Sequence, residues 1–156
     1  MDLSGNRELL AGPLVAFFAS RTAPTEALDL ATRWAHTIAR SNKIVISGFH
    51  SPIERAVLDV LLASGSSVVV ALGRSLYRKI PTHLQEAYNE GRVLFVSLRA
   101  NTRTSFSSSQ LRNWVTADLA SEIVFAPFDY TSQLSTLYFS LCGGTATVTI
   151  LGANTI

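Results

Sequence analysis

Continuous apolar runs alternate along the chain with segments whose apolar residues recur every three or four positions. A strand covered on both faces is typically apolar throughout, whereas an amphipathic helix shows the longer period. The continuous runs predict strands at 14–20, 43–47, 67–73, 92–98, 122–128 and 145–151. The periodic segments predict helices within 25–42, 51–65, 74–91, 109–121 and 132–144. This alternation predicts an α/β fold, a three-layer Rossmann-like domain with a mostly parallel sheet of about six strands.

The length of 156 residues allows one domain, which we place over 1–156. A hydrophobic share of 47% with only 15% charged residues excludes a disordered chain. The segment 9–20 is apolar like a secretory signal, but the acids and the proline around it favour a buried strand. No apolar run reaches the roughly 20 residues that cross a bilayer, so we expect no membrane partner. The lone Cys142 excludes a disulfide framework within the chain and favours a cytoplasmic location.

Basic side chains cluster where the predicted strands end. In an open parallel α/β sheet, ligands bind outside the carboxyl ends of the strands. Seven of the thirteen basic residues follow those ends: Arg21, Arg74, Arg78, Lys79, Arg99, Arg103 and Arg112. The acids there are Glu54 and Asp129. The net charge of the chain is only +2 and indicates nothing about partners. The clustering of basic residues at the strand ends, however, predicts an anion-binding edge. The alternative is that these loops are polar only because they face solvent.

The candidate phosphate-binding residues come from the same strand ends. They are Ser20, Arg21, Ser47, Gly48, His50, Gly73, Arg74, Arg112, Thr131 and Ser132. We expect Ser47 and Gly48 to form the floor of the site, because a glycine lets a phosphate approach the backbone. We expect Arg21, Arg74 and Arg112 to converge on that floor. A cation in the first turns of a helix opposes the helix dipole, which favours a role for Arg112 in binding an anion.

Five short motifs also follow one another in order: FASR at 18–21, SGFHSPIE at 47–54, ALGRSLYRKIP at 71–81, RNWVTADLAS at 112–121 and FAPFDYTSQ at 125–133. Their order and spacing resemble the DNA-processing protein A family (DprA, also called Smf). That family belongs to the wider Rossmann-like group that includes the LOG nucleotide hydrolases. The resemblance covers about 13–151. It implies binding of nucleotide or nucleic acid, and its Arg-Asn pair adds Asn113 to the candidate phosphate-binding residues.

The chain departs from the family pattern at four places: HSP for Ala-Arg-Gly at 50–52, Glu54 for Asp, Trp114 for a basic residue, and TSQ for Ser-Gly-Ser at 131–133. The first departure removes an arginine that the resemblance implies as a phosphate contact. The fourth removes a glycine from the loop after the fifth predicted strand. These departures predict a divergent version of the family's core domain.

Motifs of catalysis are missing or misplaced. The resemblance implies that a LOG hydrolase would carry a Pro-Gly-Gly-x-Gly-Thr loop and a glutamate, but the corresponding loop, 127–138, contains neither glycine nor glutamate. The similar CGGTAT at 142–147 follows a predicted helix and favours a helix cap. His50 lies near Ser47 and Glu54 in the sequence, but no nucleophile elbow surrounds them. We therefore predict no catalytic residue, no metal site and no cofactor.

The main hypothesis is a non-catalytic domain that binds a nucleotide or single-stranded DNA at the carboxyl edge of the sheet. Tyr77 and Tyr130 are the candidates for stacking on a base, while the helical positions of Trp34 and Trp114 predict core packing. One alternative is a LOG-type nucleotide hydrolase with Glu54 as a displaced acid. The other is a structural protein or homo-oligomer with a vestigial pocket.

Overall fold

The computed structural model describes residues 1–97 and 107–153, in which seven strands form one sheet. The strands are β1 (Asp2–Gly5), β2 (Leu14–Phe18), β3 (Ile44–Ser47), β4 (Val68–Leu72), β5 (Val93–Ser97), β6 (Glu122–Phe125) and β7 (Thr147–Ile150). Their order across the sheet is β1-β5-β4-β3-β2-β6-β7. β1 runs antiparallel to β5, and the other neighbouring pairs are parallel. The predicted α/β fold with a mostly parallel sheet is confirmed.

Helices cover both faces of the sheet. They are a 3-10 helix (Arg7–Ala11), α1 (Ala27–Ile38), α2 (Pro52–Ala63), α3 (Thr82–Asn89), α4 (Ser108–Asp118) and α5 (Gln133–Leu141). Residues of α1, α2 and α3 join the apolar core on one face, and residues of the 3-10 helix, α4 and α5 join the core on the other. The predicted three layers are therefore present. In the described part of the chain, no helix combines the length and the apolar character needed to span a bilayer.

The central strands explain the continuous apolar runs. Every residue of β2, β4 and β5 is buried. Neighbours on β2 point to opposite layers, so that Phe17 stacks on Trp34 of α1 with ring centroids 4.9 Å apart, whereas Phe18 belongs to the core of the other face. Trp34 therefore packs against the core, in agreement with the prediction. The same prediction is wrong for Trp114, which lies on α4 and is 54% exposed.

The apolar pattern missed β1. Residues 2–5 contain a single apolar side chain, Leu3, and they extend the sheet by pairing with β5, with Asp2 opposite Ser97. An edge strand is hydrogen-bonded to one neighbouring strand only, and this pairing is made by the backbone. It therefore needs no continuous run of apolar side chains. The described residues thus contain one strand more than the about six expected from patterning. Arg99 and Arg103, which we expected at the same edge as Arg112, lie outside the described residues.

The strand order creates a crevice at the carboxyl edge. From β2 the chain builds β3, β4 and β5 outward on one side, and then returns to place β6 against the other side of β2. The connection after β2 therefore leads to one side of the sheet and the connection after β6 to the other. The place where neighbouring connections diverge in this way is called the switch point, and ligands of open α/β sheets bind there. This topology positions the candidate site.

Candidate functional site

A cleft of about 680 Å³ lies at the switch point on the carboxyl edge, and we name it the switch-point cleft. It is lined by residues that follow β2, β3 and β6 and by the first turns of α4. Seven of the predicted residues line it: Ser20, Arg21, His50, Arg112, Asn113, Thr131 and Ser132. The fold thus brings most of the predicted site into one cleft.

Three helices begin at the switch-point cleft. Their N-cap residues Ser51, Ser107 and Ser132 all line it. Each N-cap hydroxyl accepts a hydrogen bond from an amide of its own helix, at 3.3, 3.2 and 3.1 Å respectively. The amino ends of helices carry partial positive charge, so three of them directed at one cleft favour an anion there. Sequence reasoning missed Ser51 and Ser107, although both begin a Ser-x-x-Glu/Gln capping box that could have indicated them.

Arg112 lies directly against Gly48. A Cβ atom built on Gly48 would stand 2.1 Å from Cδ and 2.4 Å from Nε of Arg112. The side chain of Arg112 therefore occupies the space that we had assigned to a phosphate above Gly48. Ser47 is completely buried, and its Oγ accepts a hydrogen bond from the amide of Phe49 at 3.0 Å. Ser47 shapes this turn from below and lines neither cleft described here.

The charges of the switch-point cleft are unbalanced. Among the described residues, no carboxylate oxygen lies within 4.0 Å of the guanidinium of Arg21 or of Arg112. Partial burial lowers the pKa of Arg112, Glu54 raises it, and Arg21 lowers it. Desolvation lowers the pKa of His50, and Arg112, Arg21 and Arg55 lower it further. The cleft therefore has a positive potential that an anion would relieve.

Glu54 is a structural group in this arrangement. It is buried, and its carboxylate accepts hydrogen bonds from the amides of Ala19 (3.1 Å), His50 (2.8 Å) and Ser51 (3.1 Å). Burial raises the pKa of Glu54, while these amides and Arg112 oppose that shift. The carboxylate ties the end of β2 to the start of α2. Both of its oxygens are directed at backbone donors, which argues against the displaced acid of a hydrolase.

Three further predicted residues lie in a second cleft of about 380 Å³, which we name the Tyr77 cleft. Gly48, Gly73 and Arg74 line it, and the guanidinium of Arg74 stacks over the ring of Tyr77 at 4.4 Å. His50 and Arg112 border both clefts. The expected convergence of Arg21, Arg74 and Arg112 on one floor is therefore not what the structure shows. Arg112 separates a cleft that contains Arg21 from a cleft that contains Arg74.

The two tyrosines that we proposed for base stacking differ in their surroundings. Tyr77 packs edge-on against Phe95 with ring centroids 5.4 Å apart, so one side of its ring belongs to the core. Tyr130 is 81% exposed in the loop after β6.

Among the described residues, no cluster of His, Cys, Asp and Glu side chains is placed to bind a metal ion.

Comparison with known proteins assigns the chain to a family. The model of the DNA recombination-mediator protein A family matches residues 2–133, which is most of the sequence. The chain belongs to the DNA recombination-mediator protein A family. The resemblance read from the five short motifs is thereby confirmed. No curated protein sequence gives a significant match.

Solved structures of this family share the fold. DNA processing protein A from Streptococcus pneumoniae superposes with a TM-score of 0.73 at 20% identity, over 98% of this chain and 55% of that one. DNA processing protein A from Helicobacter pylori, described for its mode of binding single-stranded DNA, gives 0.72 at 16% identity, over 98% and 72%. The chain thus spans about half the length of the Streptococcus protein.

A more distant neighbour is the molybdenum cofactor carrier protein of Chlamydomonas reinhardtii. It superposes with a TM-score of 0.57 at 9% identity, over 92% of this chain and 78% of that one. Identities this low show a shared fold and nothing more. The Rossmann-like architecture therefore extends beyond the DNA recombination-mediator protein A family, and function has to be argued from the clefts.

Proposed function

We propose that this domain binds single-stranded DNA, or the phosphate of a free nucleotide, in the switch-point cleft without catalysing a reaction. In this proposal Arg112 and Arg21 contact the phosphate directly. Ser20, Asn113 and Thr131 donate hydrogen bonds from the cleft wall, which they line together with Ser132, whose hydroxyl donates to Ser20. The complex is electrostatic and polar in character.

One observation carries the proposal: two guanidinium groups and the amino ends of three helices meet in one cleft. Guanidinium groups form charge-assisted hydrogen bonds to phosphate oxygens, which are roughly twice as strong as neutral ones. The carboxylate in the wall, that of Glu54, already accepts three backbone hydrogen bonds. A phosphate entering the cleft would therefore meet donors and positive charge.

Family membership supports the nucleic-acid version of this proposal. The Helicobacter pylori relative is described as binding single-stranded DNA, and this chain matches its fold over 98% of the residues. Single-stranded DNA offers consecutive phosphates along a flexible backbone, and a positively charged groove suits such a ligand.

The direct test measures the affinity of a fluorescently labelled oligothymidylate for the protein and for Arg112→Ala by anisotropy. The loss of a charge-assisted hydrogen bond should weaken binding by about 1.5–3 kcal/mol, or roughly 10- to 150-fold in Kd. Each lost phosphate contact should also reduce the slope of log K against log salt by about 0.7. Arg112 is partly exposed on the surface of α4, so the fold should survive the change.

Arg40→Ala is the matched control. Arg40 is an exposed arginine between α1 and β3, and so lies at the amino edge of the sheet, opposite the cleft. Its removal subtracts the same charge and should leave Kd nearly unchanged. Equal losses in both variants would show that binding is unspecific, and no binding at low salt would exclude the nucleic-acid version.

Free nucleotides separate the remaining alternatives. If the oligonucleotide does not bind but a nucleoside monophosphate does, the protein is a nucleotide-binding domain. Release of free base from that monophosphate would establish a hydrolase and overturn the non-catalytic proposal. The contacts of Glu54 lead us to expect no release.

A further inference from the structure

Trp114 is a large aromatic residue that lies mostly outside the core. The other tryptophan, Trp34, stacks on Phe17, whereas 54% of Trp114 is exposed to solvent. Trp114 shares one face of α4 with Gln110 and Ala117, since residues three and four positions apart lie together on a helix. This face is directed at α5 and not at the sheet.

A groove of about 510 Å³ runs between α4 and α5, and we name it the α4–α5 groove. Trp114 and Ala117 form one wall, and Thr136, Leu137 and Leu141 contribute to the other. No charged side chain lines the groove among the described residues. Its surface is apolar with hydroxyl and amide groups but without a cation, which suits a planar polar ring better than a phosphate.

The α4–α5 groove is continuous with the switch-point cleft. Ser107, Ser109, Asn113 and Gln133 line both. Arg112 and Trp114 are only about 3 Å apart along the axis of α4 but lie on different sides of the helix, and Asn113 between them lines both the cleft and the groove. A strand whose phosphate lies at Arg112 therefore has a base within reach of the groove.

We propose that the α4–α5 groove is a nucleobase subsite, in which Trp114 stacks on a base of the single strand whose phosphate occupies the switch-point cleft. This inference rests on the proposed function and specifies its ligand as a strand with an accessible base. Base–aromatic stacking tolerates any sequence, because every base has a π-face. The subsite therefore provides affinity for unpaired nucleotides without sequence recognition. A duplex, whose bases are stacked on each other, cannot use it.

The test compares an oligothymidylate with an abasic strand of the same length, binding to the wild-type protein and to Trp114→Ala. Removal of the indole should raise Kd for the oligothymidylate by about 5- to 100-fold. Binding of the abasic strand should stay within about twofold, because its phosphates still reach Arg112. Trp114→Phe should retain most of the affinity for the oligothymidylate. The exposed indole should also lose fluorescence on binding, a signal absent from Trp114→Phe.

Phe139→Ala is the matched control. Phe139 is a 62% exposed aromatic residue of α5 that does not line the groove, and its removal should leave both affinities unchanged. Equal weakening of both strands by Trp114→Ala, or of neither, would overturn the subsite while leaving the phosphate site intact. A wild-type protein that binds neither strand would overturn the proposed function and the subsite together. Self-association that Trp114→Ala abolishes, with unchanged DNA affinity, would assign the groove to a second copy of the chain.

Discussion

At Gly48, a hydrogen atom in place of a side chain determines where the guanidinium of Arg112 can lie. The backbone of Gly48 is not in the left-handed region, so its conformation does not require glycine. The lack of space favours glycine instead, because a Cβ built on Gly48 would stand 2.1 Å from Cδ of Arg112, and the Arg112 side chain would have to move. The turn after β3 and the first turns of α4 are thus packed together through this contact. Gly48 therefore affects the switch-point cleft by positioning the guanidinium of Arg112.

Gly48→Ala should therefore weaken binding of single-stranded DNA by displacing Arg112. We expect a loss similar to that of Arg112→Ala, about 1.5–3 kcal/mol, since the same charge-assisted bond is disturbed. In the double variant the second substitution should add almost nothing, because residues in contact are not independent. Anisotropy on the four proteins of this cycle measures the coupling. Fully additive losses would show that Gly48 contacts the ligand itself, as the sequence had suggested.

His50 provides a pH-dependent probe of the same cleft. Burial and the charges of Arg112, Arg21 and Arg55 place its pKa below the usual value of about 6.5. The unfolded chain therefore binds this proton more tightly than the folded one, and the stability contributed by neutral His50 is lost as pH falls below that value. A bound phosphate would reverse the balance by favouring the charged imidazole.

DNA affinity should accordingly rise as pH falls from about 7.5 towards the pKa of His50, since binding takes up a proton. In His50→Gln this part of the pH dependence should disappear. His36→Gln is the control, because His36 is an exposed residue in the last turn of α1, away from the cleft. NMR titration with and without the oligothymidylate should show the pKa of His50 moving upward on binding. An unchanged His50 resonance would place the phosphate elsewhere.

Among the elements, β1 is the one whose role is decided by its backbone. It covers the outer edge of β5, where an unpaired strand would be open to pairing with another chain. The strand ends at Gly5, whose φ is +119°, and a Cβ there would stand 2.2 Å from the carbonyl oxygen of Val93. That oxygen also accepts a hydrogen bond from the amide of Asn6 at 3.0 Å, so it has little freedom to move.

Gly5→Ala should lower the free energy of unfolding by about 2–4 kcal/mol, from backbone strain and the clash with Val93 combined. Gly65→Ala is the matched control, because Gly65 has a φ of +75° but no atom within 4 Å of a built Cβ. It should lose only the left-handed penalty, about 1 kcal/mol. Chemical denaturation of the three proteins measures both values. Equal losses would show that the Val93 contact relaxes without cost.

For the whole molecule, the order of the strands decides how the functional residues are grouped. The placement of β6 beside β2 brings the loop after β6 to the end of β2, and Ser132 donates a hydrogen bond to Ser20 there at 3.2 Å. The ends of β4 and β5 lie on the far side of β3, together with Arg74 and Tyr77. One basic edge is thereby divided into two clefts with Arg112 between them.

The sequence by itself determined the layers, the strands of the interior and the edge that carries the charge. A strand that is buried on both faces of the sheet consists almost entirely of consecutive apolar residues, as β4 and β5 do. This pattern can be recognised in the segment itself, without knowing which strands lie beside it. The loops after such strands must meet at one edge of a parallel sheet, which is why Arg21 and Arg112 could be assigned to a common rim. The edge strand β1 escaped because its pairing is a backbone property.

Only the tertiary structure decided which residues of the rim touch. Gly48 and Arg112 are far apart in the chain, and nothing local in either segment indicates that one packs against the other. The helical period of α4 likewise predicted a core position for Trp114, whereas the neighbouring α5 determines which face of α4 is covered and which is left open as a groove. Local periodicity fixes the faces of an element. The partner of each face depends on the order of the strands across the sheet.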